Sequence, residues 1–132
     1  MIREKILKVV LVIVGILFLA TVYPLVAMRL EESLQMMLSI YVTLGVFLLL
    51  ASRDPSANRS LIAFTAWSSF AHAGVMVVQS LHDLPERTHL MSGAVAFAVI
   101  GIVLVVLAPA KERAPDTGSP PVSRHMTAMD RA

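Results

Sequence analysis

The sequence predicts an all-α fold, a bundle of four transmembrane helices in which consecutive helices run antiparallel. Of its 132 residues, 57% are hydrophobic and 15% are charged, a composition typical of a membrane protein. Four apolar stretches each approach the roughly 20 residues that a helix needs to cross a bilayer core of about 30 Å. These stretches are 7–28, 33–52, 61–81 and 91–109. We therefore predict one transmembrane domain over 1–109.

The first predicted helix contains Pro24 near its outer end, where the missing N–H and the ring should bend or end the helix. The connection RLEES is very short, so the first two helices should be antiparallel neighbours. The start, MIREKILK, also resembles a signal peptide that would be cleaved after Ala27. We favour a retained helix, because Leu25 stands where a small residue is wanted and cleavage would leave an odd number of spans.

Turn and capping residues separate the remaining helices. Asp54-Pro55 predicts a turn, and Ser56 or Asn58 is the expected N-cap of the third helix. Pro85 followed by Glu86 favours the start of the fourth helix before the bilayer. That helix carries a line of small residues, Ala94, Ala98 and Gly101, suited to packing within the chain or in a dimer. Residues 110–132 are rich in Pro, Ser and charge, which predicts a disordered cytoplasmic tail.

The third helix has a polar face centred on His72. At 100° per residue, its other polar members lie within about 60° of His72; they are Thr65, Ser68, Ser69 and Gln79. The second helix has a similar face, whose members within the bilayer are Gln35, Ser39 and Thr43. We predict that the two faces meet in a polar seam, since a polar group facing hydrocarbon without a partner costs several kcal/mol.

His72 has two interpretations. As a neutral residue it would join helices through hydrogen bonds, each contributing about 0.6 to 2 kcal/mol. As a titrating residue it would relay protons or contact a ligand. We favour the structural interpretation, because no carboxylate lies at the same membrane depth.

The distribution of positive charge predicts the orientation. Nine lysines and arginines lie on the side that holds both ends of the chain and the 53–60 loop, and two lie on the other side. Excess positive charge marks the cytoplasmic side, so both termini should be cytoplasmic. A net charge of +2 that follows topology in this way does not indicate nucleic-acid binding.

The predicted outer rim is mildly acidic and contains Glu31, Glu32, His82 and His89. Methionines also collect near this rim, namely Met28, Met36, Met37, Met76 and Met91. Thioethers and imidazoles could bind a soft metal such as Cu(I), but ordinary apolar packing is the preferred interpretation because no tight ligand spacing is present. The chain has no cysteine, which excludes disulfides and thiolate-bound cofactors. We predict no metal and no cofactor.

No nucleophile and base pair, phosphate-binding glycine loop or metalloprotease motif is found, so we expect no enzyme activity.

Three segments resemble a family of small bacterial four-span membrane proteins of unknown function: YPL at 23–25, the stretch 36–76 and the final LAP at 107–109. The resemblance implies an inner-membrane location and four helices, and it carries no established activity. We expect an accessory or scaffold component that binds another membrane protein, a second copy of itself or a lipid. The alternative is a small transporter or a proton or ligand sensor that uses the polar seam.

Overall fold

The computed structural model describes residues 2–110, and these residues fold into helices connected by short turns. The helices are α1 (Ile2–Leu19), α2 (Val22–Ala27), α3 (Glu32–Ala51), α4 (Arg59–His82) and α5 (Arg87–Leu107). With α1 and α2 counted together, four segments are long and apolar enough to cross a membrane. The prediction of an all-α, four-helix membrane protein is thus confirmed, although α1 begins several residues before its predicted span. The predicted tail, apart from Ala110, lies outside the described residues.

Pro24 divides the first span, as predicted. Its ring removes one backbone donor and clashes with the carbonyl four residues earlier, that of Ala20. The backbone tightens at this point: the N–H of Tyr23 donates to Ala20 O at 3.1 Å, and the N–H of Thr21 donates to Phe18 O at 3.2 Å. The Thr21 hydroxyl also donates to Phe18 O at 2.6 Å. The helix therefore ends at Leu19 and restarts at Val22.

Each helix buries one narrow stripe. In α1 the buried side chains are Leu7, Leu11, Val14 and Phe18, whose alternating spacing of four and three residues is that of a helix packed along a single seam. Leu44, Leu48 and Ala51 continue this pattern in α3. Large apolar side chains remain exposed on the opposite faces of the helices, as expected for surfaces that contact lipid.

The helices are arranged as two closely packed pairs. α1 packs on α3, α4 packs more extensively on α5, and contacts between α1 and α5 join the pairs. α3 and α4 have few contacts with each other. The first and second predicted helices, now α1 and α3, are therefore close neighbours as predicted, and so are the third and fourth, now α4 and α5. The second and third, α3 and α4, are not closely packed.

Small residues permit the close approach within each pair. A Cβ atom on Gly45 would lie 2.8 Å from the backbone oxygen of Gly15 and 2.8 Å from the backbone nitrogen of Leu19, so only glycine fits where α3 crosses α1. In α5, a Cβ on Gly101 would lie 2.8 Å from the ring of Phe70 in α4. Ala94 is also buried. The predicted line of small residues on α5 thus packs within the chain.

The turns agree with the predicted loop chemistry, with one difference. Asn58 precedes α4 as the N-cap residue, but its side chain makes no capping hydrogen bond. Its amide instead donates to Asp54 O at 2.8 Å, while the N–H of Ala57 donates to the Asp54 carboxylate at 3.1 Å. The loop is therefore closed mainly by Asp54. At the other end, Glu86 is the N-cap residue of α5, as the Pro85-Glu86 pair predicted.

Candidate functional site

The predicted polar face of α4 is largely satisfied by its own helix. Thr65 and Ser69 are buried and Ser68 is partly buried. The Thr65 hydroxyl donates to Leu61 O at 2.9 Å, and the hydroxyls of Ser69 and Ser68 donate to Thr65 O at 2.7 and 3.1 Å. Such bonds to the preceding turn let a hydroxyl lie inside a membrane protein without a partner on another helix.

The polar residues of α3 are also satisfied locally, but they lie near the surface. Ser39 and Thr43 are exposed, and their hydroxyls donate to Met36 O at 2.7 Å and to Ser39 O at 3.0 Å. Gln35 is partly buried and donates to Leu30 O at 3.1 Å. Gln79, the outermost member of the predicted polar face of α4, is exposed.

The two polar faces do not close on each other along their length, which corrects the predicted seam. The physical reason is the pairing of the helices: α4 packs its small residues against α5, and α3 packs Gly45 against α1. Between α3 and α4 an open groove of about 280 Å³ remains. We call it the α3/α4 groove; its lining residues are Ser39, Ile40, Thr43, Leu44, Phe47 and Phe64.

His72 belongs to an aromatic cluster that joins all four spans. The cluster consists of Phe18 in α1, Tyr41 in α3, His72 in α4 and Phe97 in α5. The centroid of the imidazole lies 4.3 Å from that of Phe97 and 5.5 Å from that of Tyr41. Phe18 lies 5.0 Å from Tyr41 and 6.1 Å from Phe97 by the same measure. These separations fall in or near the range of favourable aromatic pairs.

Sequence reasoning identified His72 but missed its partners. Helical periodicity shows which residues share a face of one helix, and Phe18, Tyr41 and Phe97 belong to three other helices. Depth was the available signal, because each of the four residues lies near the middle of its predicted span. None of the side-chain hydrogen bonds observed among residues 2–110 involves His72. Within these residues the imidazole is therefore positioned by its contacts with the rings of Tyr41 and Phe97.

The predicted outer rim is open. Glu31, Glu32, His82 and His89 are all exposed, and residues 2–110 contain no group of three or more His, Asp or Glu side chains that could hold a metal ion. Two of the methionines take part in the contact between α4 and α5. Met91 Sδ accepts a hydrogen bond of 3.2 Å from Ser80, and Met76 packs against the Cα of Gly93, where a Cβ would collide with it.

The fold and its helices define a small integral membrane protein with four membrane-spanning segments. A family model described as a family of unknown function (DUF6632) matches residues 2–125. The chain therefore belongs to this family, in agreement with the resemblance noted from its sequence. No curated protein and no solved structure matches the chain.

Proposed function

We propose that the protein is a non-enzymatic accessory or scaffold component of a bacterial inner membrane. It binds another membrane protein, a second copy of itself or a lipid, and the α3/α4 groove is the contact surface. The observation that carries this proposal is the sparse contact between α3 and α4. The resulting groove combines exposed aromatic side chains, Phe47 and Phe64, with the hydroxyls of Ser39 and Thr43.

The chemistry of the groove suits a partner within the membrane. Helices associate in lipid through close packing and interhelical hydrogen bonds, because lipid tails are as apolar as leucine. The hydroxyls of Ser39 and Thr43 donate to their own helix, but each oxygen can still accept a hydrogen bond. A partner helix with a small or hydroxyl-bearing face could therefore pack closely and donate to them.

The local geometry around Ser69 supports a non-enzymatic role. Ser69 precedes His72 by three residues on α4, a spacing that could suggest a nucleophile and its base. Its hydroxyl donates instead to Thr65 O at 2.7 Å, while the imidazole of His72 contacts the ring of Phe97 at an interplanar angle of 56°. A serine nucleophile requires a hydrogen bond to its base.

A photo-crosslinker tests the proposed contact surface. p-Benzoylphenylalanine would be introduced at Phe64 in the groove and, as a matched control, at Ile102 on α5. Both side chains are exposed, Phe64 to 60% and Ile102 to 54%. Phe64 lies five residues after Arg59, where α4 begins, and Ile102 lies five residues before Leu107, where α5 ends. We expect irradiation of intact membranes to yield a discrete adduct from position 64 and none from position 102.

The mass of the adduct identifies the class of partner. A species of twice the chain mass indicates a second copy, a different protein mass indicates a separate partner, and a small increment indicates one bound lipid. The proposal is contradicted if positions 64 and 102 give the same adducts, since both would then contact only bulk lipid.

One observation favours transport or sensing as a second candidate function. The imidazole of His72 has ring contacts but no hydrogen-bond partner among the described residues, so its nitrogens are available to water or a ligand. Loss of proton flux from protein reconstituted in liposomes on His72→Phe, with folding intact, would support this candidate over the scaffold.

A further inference from the structure

A cavity of about 540 Å³ lies where the start of α1, the loop between α3 and α4 and the end of α5 meet. We call it the Arg3–Arg59 pocket. It has an apolar part, formed by Leu7 and Leu107, beside a polar part. The polar part contains Arg3, Glu4, Ser56 and Arg59. An apolar part beside a charged part is the composition expected where lipid acyl chains meet headgroups.

The pocket carries an excess of positive charge. Among the described residues, the one acidic residue that lines the pocket is Glu4. Its Oε1 atom lies 2.8 Å from Lys8 Nζ, so this carboxylate is already paired within α1. Arg3 donates from one terminal nitrogen to Val106 O at 2.8 Å and to Ala108 O at 2.9 Å. These contacts hold the Arg3 guanidinium beside the end of α5 without neutralising it, because carbonyl oxygens carry no net charge. A guanidinium has five N–H donors, so most of those on Arg3 remain for a ligand.

Arg59 provides the second observation that indicates a ligand. Its Nε atom is buried and has no hydrogen-bond partner among the described residues. A buried donor without an acceptor is unfavourable and rare in native proteins. The guanidinium of arginine matches the geometry of two phosphate oxygens, which can bind its N–H groups together.

From this arrangement we infer that the pocket binds the phosphate of one anionic phospholipid headgroup, with Arg59 and Arg3 as its ligands. The location at the ends of the spanning helices is the depth at which lipid phosphates lie, and basic pockets between helices on the cytoplasmic side bind such headgroups. The inference rests on the proposed function, which puts the chain in a bacterial inner membrane, and on the predicted orientation, which puts this pocket on the cytoplasmic side. It assigns a site for lipid that is separate from the α3/α4 groove.

Native mass spectrometry of the full chain in a neutral detergent tests the inference. The probes are dioctanoylphosphatidylglycerol, zwitterionic dioctanoylphosphatidylcholine and inorganic phosphate. We expect one molecule of phosphatidylglycerol to bind, at least about tenfold more tightly than phosphatidylcholine. Both lipids have a phosphate, but the quaternary ammonium of phosphatidylcholine would lie close to the two guanidiniums and be repelled by them. Inorganic phosphate at the same concentration should not displace it, because phosphate lacks acyl chains to contact Leu7 and Leu107.

Variants locate the binding. Arg59→Gln should weaken phosphatidylglycerol binding by about tenfold or more, and Arg59→Lys should retain part of it because the charge remains. Ser56→Glu changes an exposed loop residue and should also weaken binding by adding negative charge to the pocket. Arg87→Gln, at the opposite end of α5, is the control and should bind like the unaltered chain.

Each alternative outcome contradicts a defined part of the inference. If phosphate displaces phosphatidylglycerol at equal concentration, the site binds free phosphate and the lipid assignment is wrong. If Arg59→Gln and Ser56→Glu both keep full affinity, the pocket is not the site. The crosslinks from position 64 do not depend on these residues, so the scaffold proposal would survive either result.

Discussion

His72 illustrates how a residue with several chemical roles can be placed by its contacts. Helical periodicity relates His72 to Thr65 and Ser69 on one face of its helix, which is why the sequence singled it out. Its aromatic partners could not be predicted from periodicity, which does not determine how one helix is rotated toward the next; their shared membrane depth was the only available signal. In the structure the imidazole lies against Phe97 and Tyr41, so the ring itself contributes to packing.

The contribution of the ring predicts different stabilities for two substitutions. His72→Ala removes two ring contacts, and at about 0.5 to 1.5 kcal/mol per aromatic pair it should reduce the free energy of unfolding by roughly 1 to 3 kcal/mol. His72→Phe keeps a ring in the cluster and should change stability little. Thermal unfolding in detergent, followed by circular dichroism, measures both. Equal destabilisation by Phe and Ala would mean that a polar contact of the imidazole, rather than its ring, stabilises the fold.

The helices themselves were the most predictable feature of the fold. Their apolar length is set by bilayer thickness, and proline and turn residues mark their ends. The break before Pro24 follows directly from the clash with the carbonyl of Ala20. The crossing of α1 and α3 at Gly15 and Gly45 was not predicted, because a lone glycine in an apolar helix does not reveal which neighbour approaches it.

A pair of glycine substitutions tests that crossing. Gly45→Ala adds a Cβ that would lie 2.8 Å from the backbone of α1, and overpacking of this kind should destabilise the fold by about 1 to 3 kcal/mol. Gly74→Ala is the matched control, because a Cβ there meets nothing within 4 Å and alanine is the better helix former. We expect a lower unfolding temperature for the first variant and an unchanged or higher one for the second. An unchanged unfolding temperature for Gly45→Ala would contradict the close crossing.

At the scale of the whole molecule, the arrangement of helix pairs has the largest functional consequence. Short connections predicted which helices are antiparallel, and α1 with α3 and α4 with α5 agree with that prediction. Matching polar faces suggested that α3 and α4, the second and third predicted helices, pack on each other. Small residues on α4 and α5 instead favour a tighter contact between those two helices. Helices in lipid are paired by packing more than by polar attraction, so the α3/α4 groove remains open.

The proposals for the pocket and for the inner membrane both require one topology, in which the loop between α3 and α4 is cytoplasmic and the loop between α4 and α5 is external. The absence of cysteine from the chain allows this topology to be measured with single cysteines. Ala57→Cys and Leu84→Cys place a thiol in each loop, at positions where the native side chains are exposed. The probe is a membrane-impermeant maleimide applied to intact spheroplasts and to spheroplasts opened with detergent.

We predict that Leu84→Cys is labelled in intact spheroplasts and that Ala57→Cys is labelled only after the membrane is opened. Labelling of Ala57→Cys from outside, with Leu84→Cys protected, would show the opposite orientation and place the Arg3–Arg59 pocket on the external side. Labelling of both positions in intact spheroplasts would contradict the four-span arrangement itself.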